Sequence, residues 1–119
     1  MHKIAAAKFR ILFGSEIAMG PGKADLLEAI RDTGSISGAA RQLKMSYKRA
    51  WNLTDTMNRC FRDPLVDTAT GGGGGGGAQL TAFGAQVLKH YRSMEQRTNA
   101  AIRRDLGAFA ALLADTPRG

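Results

Sequence analysis

Apolar and polar positions change their period several times along the 119-residue chain. Lys8-Phe9-Arg10-Ile11 alternates, Leu12 and Phe13 continue apolar, and after Gly14-Ser15 a second short run, Glu16-Ile17-Ala18-Met19, follows. Two extended runs joined by two residues, the first of them glycine, predict a β-hairpin. Gly20-Pro21-Gly22 breaks this pattern. From residue 23 to 33 the spacing of Leu26, Leu27 and Ile30 predicts a helix, and Gly34 stands where a left-handed cap would end it. Ser37 is the expected N-cap of the next helix, 38–43, with Ile36 as its staple and Ala39, Ala40 and Leu43 inward. Lys44-Met45 is a tight connection, Ser46 caps a further helix over 47–61, and Pro64 follows its end. Two short helices joined this closely, with alanines where they must approach, predict a helix-turn-helix.

Beyond it, residues 65–70 read as a strand, 71–77 are seven glycines, and Ala78-Gln79-Leu80 reads as the returning strand. Thr81 is the expected cap of a long helix over 82–113. The expected fold is therefore mostly α with small β: a winged helix-turn-helix with an N-terminal hairpin and a long C-terminal dimerisation helix. It is read as one domain, with hairpin, helix-turn-helix and wing in 1–80, the long helix in 81–114 and a tail in 115–119.

A hydrophobic content of 44 % suffices for a core, and the single cysteine, Cys60, excludes an internal disulfide framework. Two histidines and no catalytic constellation of Ser/His/Asp, Cys/His or paired carboxylates leave no basis for an enzyme or a metal site. With no apolar run of about 20 residues and no secretory segment, the expected location is the cytoplasm, away from membranes. Charge changes the picture more. The net charge is +7, and most of it falls in 41–62, where Arg41, Lys44, Lys48, Arg49, Arg59 and Arg62 face Asp55 alone. Such clustering favours a polyanion, nucleic acid such as double-stranded DNA first and an anionic membrane second.

At about 100° per residue, Ala50, Leu53, Met57, Cys60 and Phe61 gather on one arc of the helix over 47–61. The opposite arc carries Tyr47, Lys48, Trp51, Asn52, Asp55 and Arg59, with Arg49 on the flank. Cations, an amide and aromatics are the groups that meet phosphates, purine edges and thymine methyls. A recognition helix reads bases with its N-terminal part, so Ser46, Tyr47, Lys48, Trp51 and Asn52 are the expected contacts and Arg49 a phosphate ligand. Asp55 and Arg59 are expected to pair with each other at i, i+4. Trp51 and Tyr47 each have a second reading, as anchors packed against wing or hairpin. Ser35, Ser37, Arg41 and Lys44 are further phosphate candidates. The glycine run has no Gly-Lys-Ser/Thr and no nucleotide-binding unit around it. It reads as a wing tip, with a flexible linker as the alternative. A tip without side chains lets backbone N–H groups approach phosphate or minor groove.

Along the long helix, larger side chains recur at Val87/Leu88, Tyr91, Met94, Thr98, Ala101/Ile102, Asp105/Leu106, Phe109 and Leu112/Leu113. The stripe is about 45 Å long at about 1.5 Å per residue. It either folds back on the chain's own core or forms a homodimer interface, and the second reading is preferred, with Leu88, Tyr91, Met94, Ala101, Ile102, Phe109 and Leu113 at the interface.

Gly34-Ser35-Ile36-Ser37, Ser46-Tyr47-Lys48-Arg49-Ala50-Trp51, Met57-Asn58, Ala69-Thr70 before the glycines, Leu80-Thr81 and Phe83-Gly84 together resemble the N-terminal DNA-binding domain of ModE-type molybdenum-dependent regulators. A more distant similarity is to LysR-type winged helices. The resemblance covers about residues 5–113. It implies a homodimer on a palindromic operator of molybdate-transport or molybdoenzyme genes, with Ser46, Tyr47, Lys48, Arg49, Trp51 and Asn52 reading the major groove. Beside them Thr70, Gly73 and Gly74 of the wing are expected contacts. The family's molybdate-binding domains follow its long helix. No cofactor is expected in the present 119 residues, and molybdate sensing would fall to a separate molybdate-binding protein. Non-specific nucleic-acid binding is the alternative.

Overall fold

A computed structural model describes residues 6–68 and 77–119. The hairpin consists of β1 (Ile11–Phe13) and β2 (Glu16–Met19), paired antiparallel through Leu12 and Ile17 with a bulge between Ile11 and Leu12. Gly14 takes φ +62° at the turn, the geometry that the two-residue connection requires.

Three helices follow: α1 (Pro21–Thr33), α2 (Ile36–Gln42) and α3 (Tyr47–Cys60). Pro21 opens α1, and Gly34 closes it with φ +77° and its N–H on Ile30 O. The cap of α2 is Ser35, whose Oγ accepts from Gly38 N–H at 2.9 Å, and not Ser37. Ile36 is thereby the first helical residue, and its side chain is buried. The link to α3 closes as a Schellman motif: Met45 N–H bonds Ala40 O, Lys44 N–H bonds Arg41 O, and Lys44 itself sits at φ +57°. Ser46 caps α3 by accepting from Arg49 N–H at 3.0 Å.

The wing strands are β3 (Val66–Thr68) and β4 (Ala78–Leu80), antiparallel with Asp67 opposite Gln79. Ala78 N–H also bonds Gly34 O at 2.9 Å, which ties the base of the wing to the turn between α1 and α2. Thr81 then caps α4 (Ala82–Ala101) through Gly84 N–H. The expected single helix over 82–113 is instead two. Ile102 leaves the helical region (φ −107°, ψ 15°), and α5 (Arg103–Ala110) follows. Helices of this length draw most of their stability from packing, and α5 buries no side chain, so nothing tertiary enforces continuity there.

One core joins the hairpin to α1, α2, α3 and α4: Met19 of β2, Leu26, Leu27 and Ile30 of α1, Ala39 and Ala40 of α2, Ala50 and Met57 of α3, Leu65, and Leu88 and Tyr91 of α4. Leu88 and Tyr91 were expected at a dimer interface; their burial spends them on the chain's own core, so the N-terminal half of the stripe does fold back. Tyr91 stacks on Phe9 at 5.2 Å between ring centroids and donates its hydroxyl to Phe9 O at 2.6 Å. Asn99 both accepts from Ala7 N–H and donates to Ala7 O, so the segment before β1 runs along α4. Arg92 crosses from α4 to α1, meeting Asp25, Glu28 and Glu95, each at 2.8 Å. Those hydrogen bonds, Glu28 foremost, hold its guanidinium above its ordinary pKa. Lys23, buried at the start of α1, donates its ammonium to Ile17 O and pins β2 to the helix. Burial pushes that ammonium below its usual pKa.

Burial, and then the Glu95 charge, raises the Tyr91 phenol above its ordinary value of 10.0. In alkali the unfolded phenol therefore ionises first. Stability supplied by the neutral phenol is complete below about pH 10 and is lost as pH rises toward the folded pKa. Tyr91→Phe is expected to cost about 1 kcal/mol near neutrality through the lost bond to Phe9 O. It should also flatten the alkaline limb of a denaturant-stability profile; an unchanged limb would refute this account.

Candidate nucleic-acid interface

Helix α3 presents its outer face because Ala50, Thr54 and Met57 fill the core with the other one. Thr54 was not expected there; its hydroxyl is satisfied by donating to Ala50 O at 2.8 Å, so it can be buried. On the outer face Ser46, Lys48, Arg49 and Asn52, together with Leu53 and Thr56, line one shallow groove of about 320 Å³. Tyr47 and Trp51 form a separate row beside it. They remain 56 % and 46 % exposed, and neither is among the side chains packed against the core. Asp55 and Arg59 pair at 3.1 Å, as the i, i+4 spacing predicts.

Ion pairing sorts the basic residues. Arg59 holds Asp55 and Arg62 lies 3.6 Å from Asp63, with its guanidinium also 5.2 Å from the Phe83 ring. Among the described residues Arg41, Lys44, Lys48 and Arg49 meet no carboxylate. All four are exposed, and they lie on α2, on the turn and on the first half of α3. Unpaired cations keep their full attraction for an external polyanion, whereas paired ones have spent part of it. Ser37 and Arg41 lie exposed on α2, while the Ser35 hydroxyl serves as the helix cap. Thr70, Gly73 and Gly74 lie outside the described residues.

Two residues that hold this surface in place are not identifiable as such from residue type alone. Asn58, one turn from the end of α3, accepts from Leu65 N–H (2.9 Å) and Val66 N–H (3.2 Å) and donates to Val66 O (3.1 Å). Its side-chain amide thus continues the edge of the wing strand and locks the recognition helix to the wing. Gly84 lets α4 touch the backbone of Leu65: a Cβ there would lie 2.1 Å from Leu65 O. Both stand in the motif pairs Met57-Asn58 and Phe83-Gly84, which is the one trace of them in the sequence. Met94, Phe109 and Leu112 are exposed apolar side chains along α4, α5 and the residues just after, with Leu113 at 40 % exposure and Ala101 and Ile102 between them. No helix among the described residues is long and apolar enough to cross a membrane.

Fold and surface together define a winged helix-turn-helix. Full-length LysG of Corynebacterium glutamicum, a LysR-type regulator solved with bound arginine, superposes with a TM-score of 0.54 over 80 % of this chain and 30 % of that one, at 23 % identity. A second structure of full-length LysG superposes with the same TM-score, over 80 % of this chain and 31 % of that one. No family model matches the chain. In sequence the chain resembles ModE-type regulators. It is 42 % identical over 87 residues to the molybdenum transport protein ModE of Azotobacter vinelandii, covering 73 % of this chain and 32 % of that protein. The molybdenum-pterin-binding protein MopA of Rhodobacter capsulatus is 39 % identical over 84 residues, 71 % of this chain and 32 % of its own length. The DNA-binding transcriptional dual regulator ModE of Escherichia coli K12 is 42 % identical over 76 residues, 64 % of this chain and 29 % of its own. The chain thus spans about a third of the length of the curated relatives it matches.

Proposed function

We propose that the chain is a sequence-specific DNA-binding transcriptional regulator rather than an enzyme, with α3 in the major groove. The observation that carries the reading is the outer face of α3: unpaired Lys48 and Arg49 share a groove with Asn52, on the element that a winged helix inserts between phosphate backbones. Asn52 carries the amide that suits a bidentate pair with adenine, and Lys48 the ammonium that suits a guanine edge. Arg41, Lys44 and Arg49 supply phosphate contacts. The names of the relatives, transcriptional regulator and molybdenum transport protein among them, point to genes of molybdate transport or molybdoenzymes as targets. The exposed Met94, Phe109 and Leu112 favour a second copy as partner, and with it an operator in two symmetric halves.

The test is selection from a random double-stranded pool at about physiological salt with competitor DNA, because salt sets the non-specific background. An enriched inverted repeat is the expected result. On that duplex Lys48→Ala and Asn52→Ala should each weaken specific binding by about tenfold or more at unchanged melting temperature. Unchanged affinity in both variants would remove the assignment of α3, and a pool with no enriched sequence would leave a non-specific binder.

A further inference from the structure

We infer that the aromatic row of α3 reads thymine C5-methyl groups, with Trp51 the principal contact and Tyr47 flanking it. The inference rests on the proposed insertion of α3 into the major groove and specifies what that groove must contain. Large aromatic side chains bury 150–250 Å² each, about, when a chain can cover them, yet these two are left open to solvent. Both stand in the first half of α3, the part of a recognition helix that reaches base edges. Four residues apart, they form one ridge along the helix. Neither takes part in a ring contact or a side-chain hydrogen bond among the described residues, in contrast to Phe9, Tyr91, Phe61 and Phe83. Neither belongs to the hydrophobic core or to the side chains packed against it.

The neighbours decide what the ridge faces. Lys48, without a carboxylate, flanks it, so the ligand that covers these aromatics also carries negative charge. Asp55, further along the same arc, is already neutralised by Arg59. In a major groove the one apolar feature is the methyl group of thymine. An indole has a single donor and no acceptor, and its broad apolar face is complementary to that methyl. The polar row of Lys48 and Asn52 then reads purine edges while the aromatic row reads methyls beside them. A preferred half-site consequently holds thymine next to a purine contacted by Asn52 or Lys48.

The experiment uses the full chain and the duplex recovered from the random pool. Each thymine is replaced in turn by deoxyuridine, which deletes the methyl and keeps every hydrogen-bonding group. Loss of one buried methyl is expected to weaken binding about fourfold, and up to about tenfold under full indole cover. Trp51→Ala, assayed at a temperature where its melting curve shows it folded, is expected to bind the thymine and deoxyuridine duplexes equally. A preferred site without thymine, or less than about a twofold loss at every replaced position, would overturn the inference. So would a Trp51→Ala variant that keeps the full methyl effect. A site that depends on Lys48 and lacks any methyl effect overturns this inference alone; a pool with no enrichment overturns the reading of α3 and the inference with it.

Discussion

Gly84→Ala is expected to lower the unfolding free energy by about 3 kcal/mol or more, although it adds one methyl group. The new Cβ would lie 2.1 Å from Leu65 O and 2.8 Å from its carbonyl carbon. These are backbone atoms, so no side chain can turn aside. Leu65 is also held from the other direction: its O accepts from Thr81 N–H at 3.0 Å, and the Thr81 hydroxyl reaches Pro64 O at 2.8 Å. Relief therefore requires α4 to move off the strand as a body, pulling Leu88 and Tyr91 from the core. A melting temperature lower by about 10 °C is the expected readout. A shift within about 2 °C would mean that this contact does not govern the packing of α4. Because the strand leaving Leu65 is the wing, residual DNA affinity should fall as well, with the α3 surface chemistry unaltered.

Asn58→Ala is expected to cost about 2–3 kcal/mol. The substitution leaves Leu65 N–H, Val66 N–H and Val66 O without the partner that served all three. The site is half-buried, so water recovers part of the loss and sets the upper limit. Asn58→Asp keeps the two acceptor bonds and forfeits the donor, setting a carboxylate oxygen against the Val66 carbonyl. Its stability should fall between wild type and Asn58→Ala in a denaturant titration. If Asp and Ala were equivalent, the two N–H bonds would carry no weight. The functional consequence is orientation: with α3 and wing uncoupled, specific binding should drop more than binding to competitor DNA.

Local signals made most elements legible. Glycine at 14 and 34, proline at 21 and hydroxyls at 46 and 81 stand where turns and caps need them, because cap chemistry is satisfied within a few residues. The misplaced cap illustrates the limit of that logic. Ser35 and Ser37 are both competent, and the burial of Ile36 in the core selects the earlier one. The outer face of α3 was legible for the same reason as the inner one, a helix wheel with charge on one side. Among its cations the Arg59 pair was legible too, because Asp55 stands one turn before it; that Lys48 and Arg49 meet no carboxylate is visible only in the folded arrangement.

The long helix marks the boundary most clearly. Spacing alone determined an apolar stripe from Leu88 onward, the helix-turn-helix before it and the basic face of α3. Tertiary structure divided that stripe: Leu88 and Tyr91 go into the core, Met94, Phe109 and Leu112 remain exposed, and the helix is interrupted at Ile102. It also assigned Asn58 and Gly84 their tasks. Periodicity reports which side chains share a face, a property of one helix and its 3.6-residue turn. What that face meets depends on chain segments tens of residues away, such as Phe9 against Tyr91 and Leu65 against Gly84, and that pairing exists only once the core has assembled.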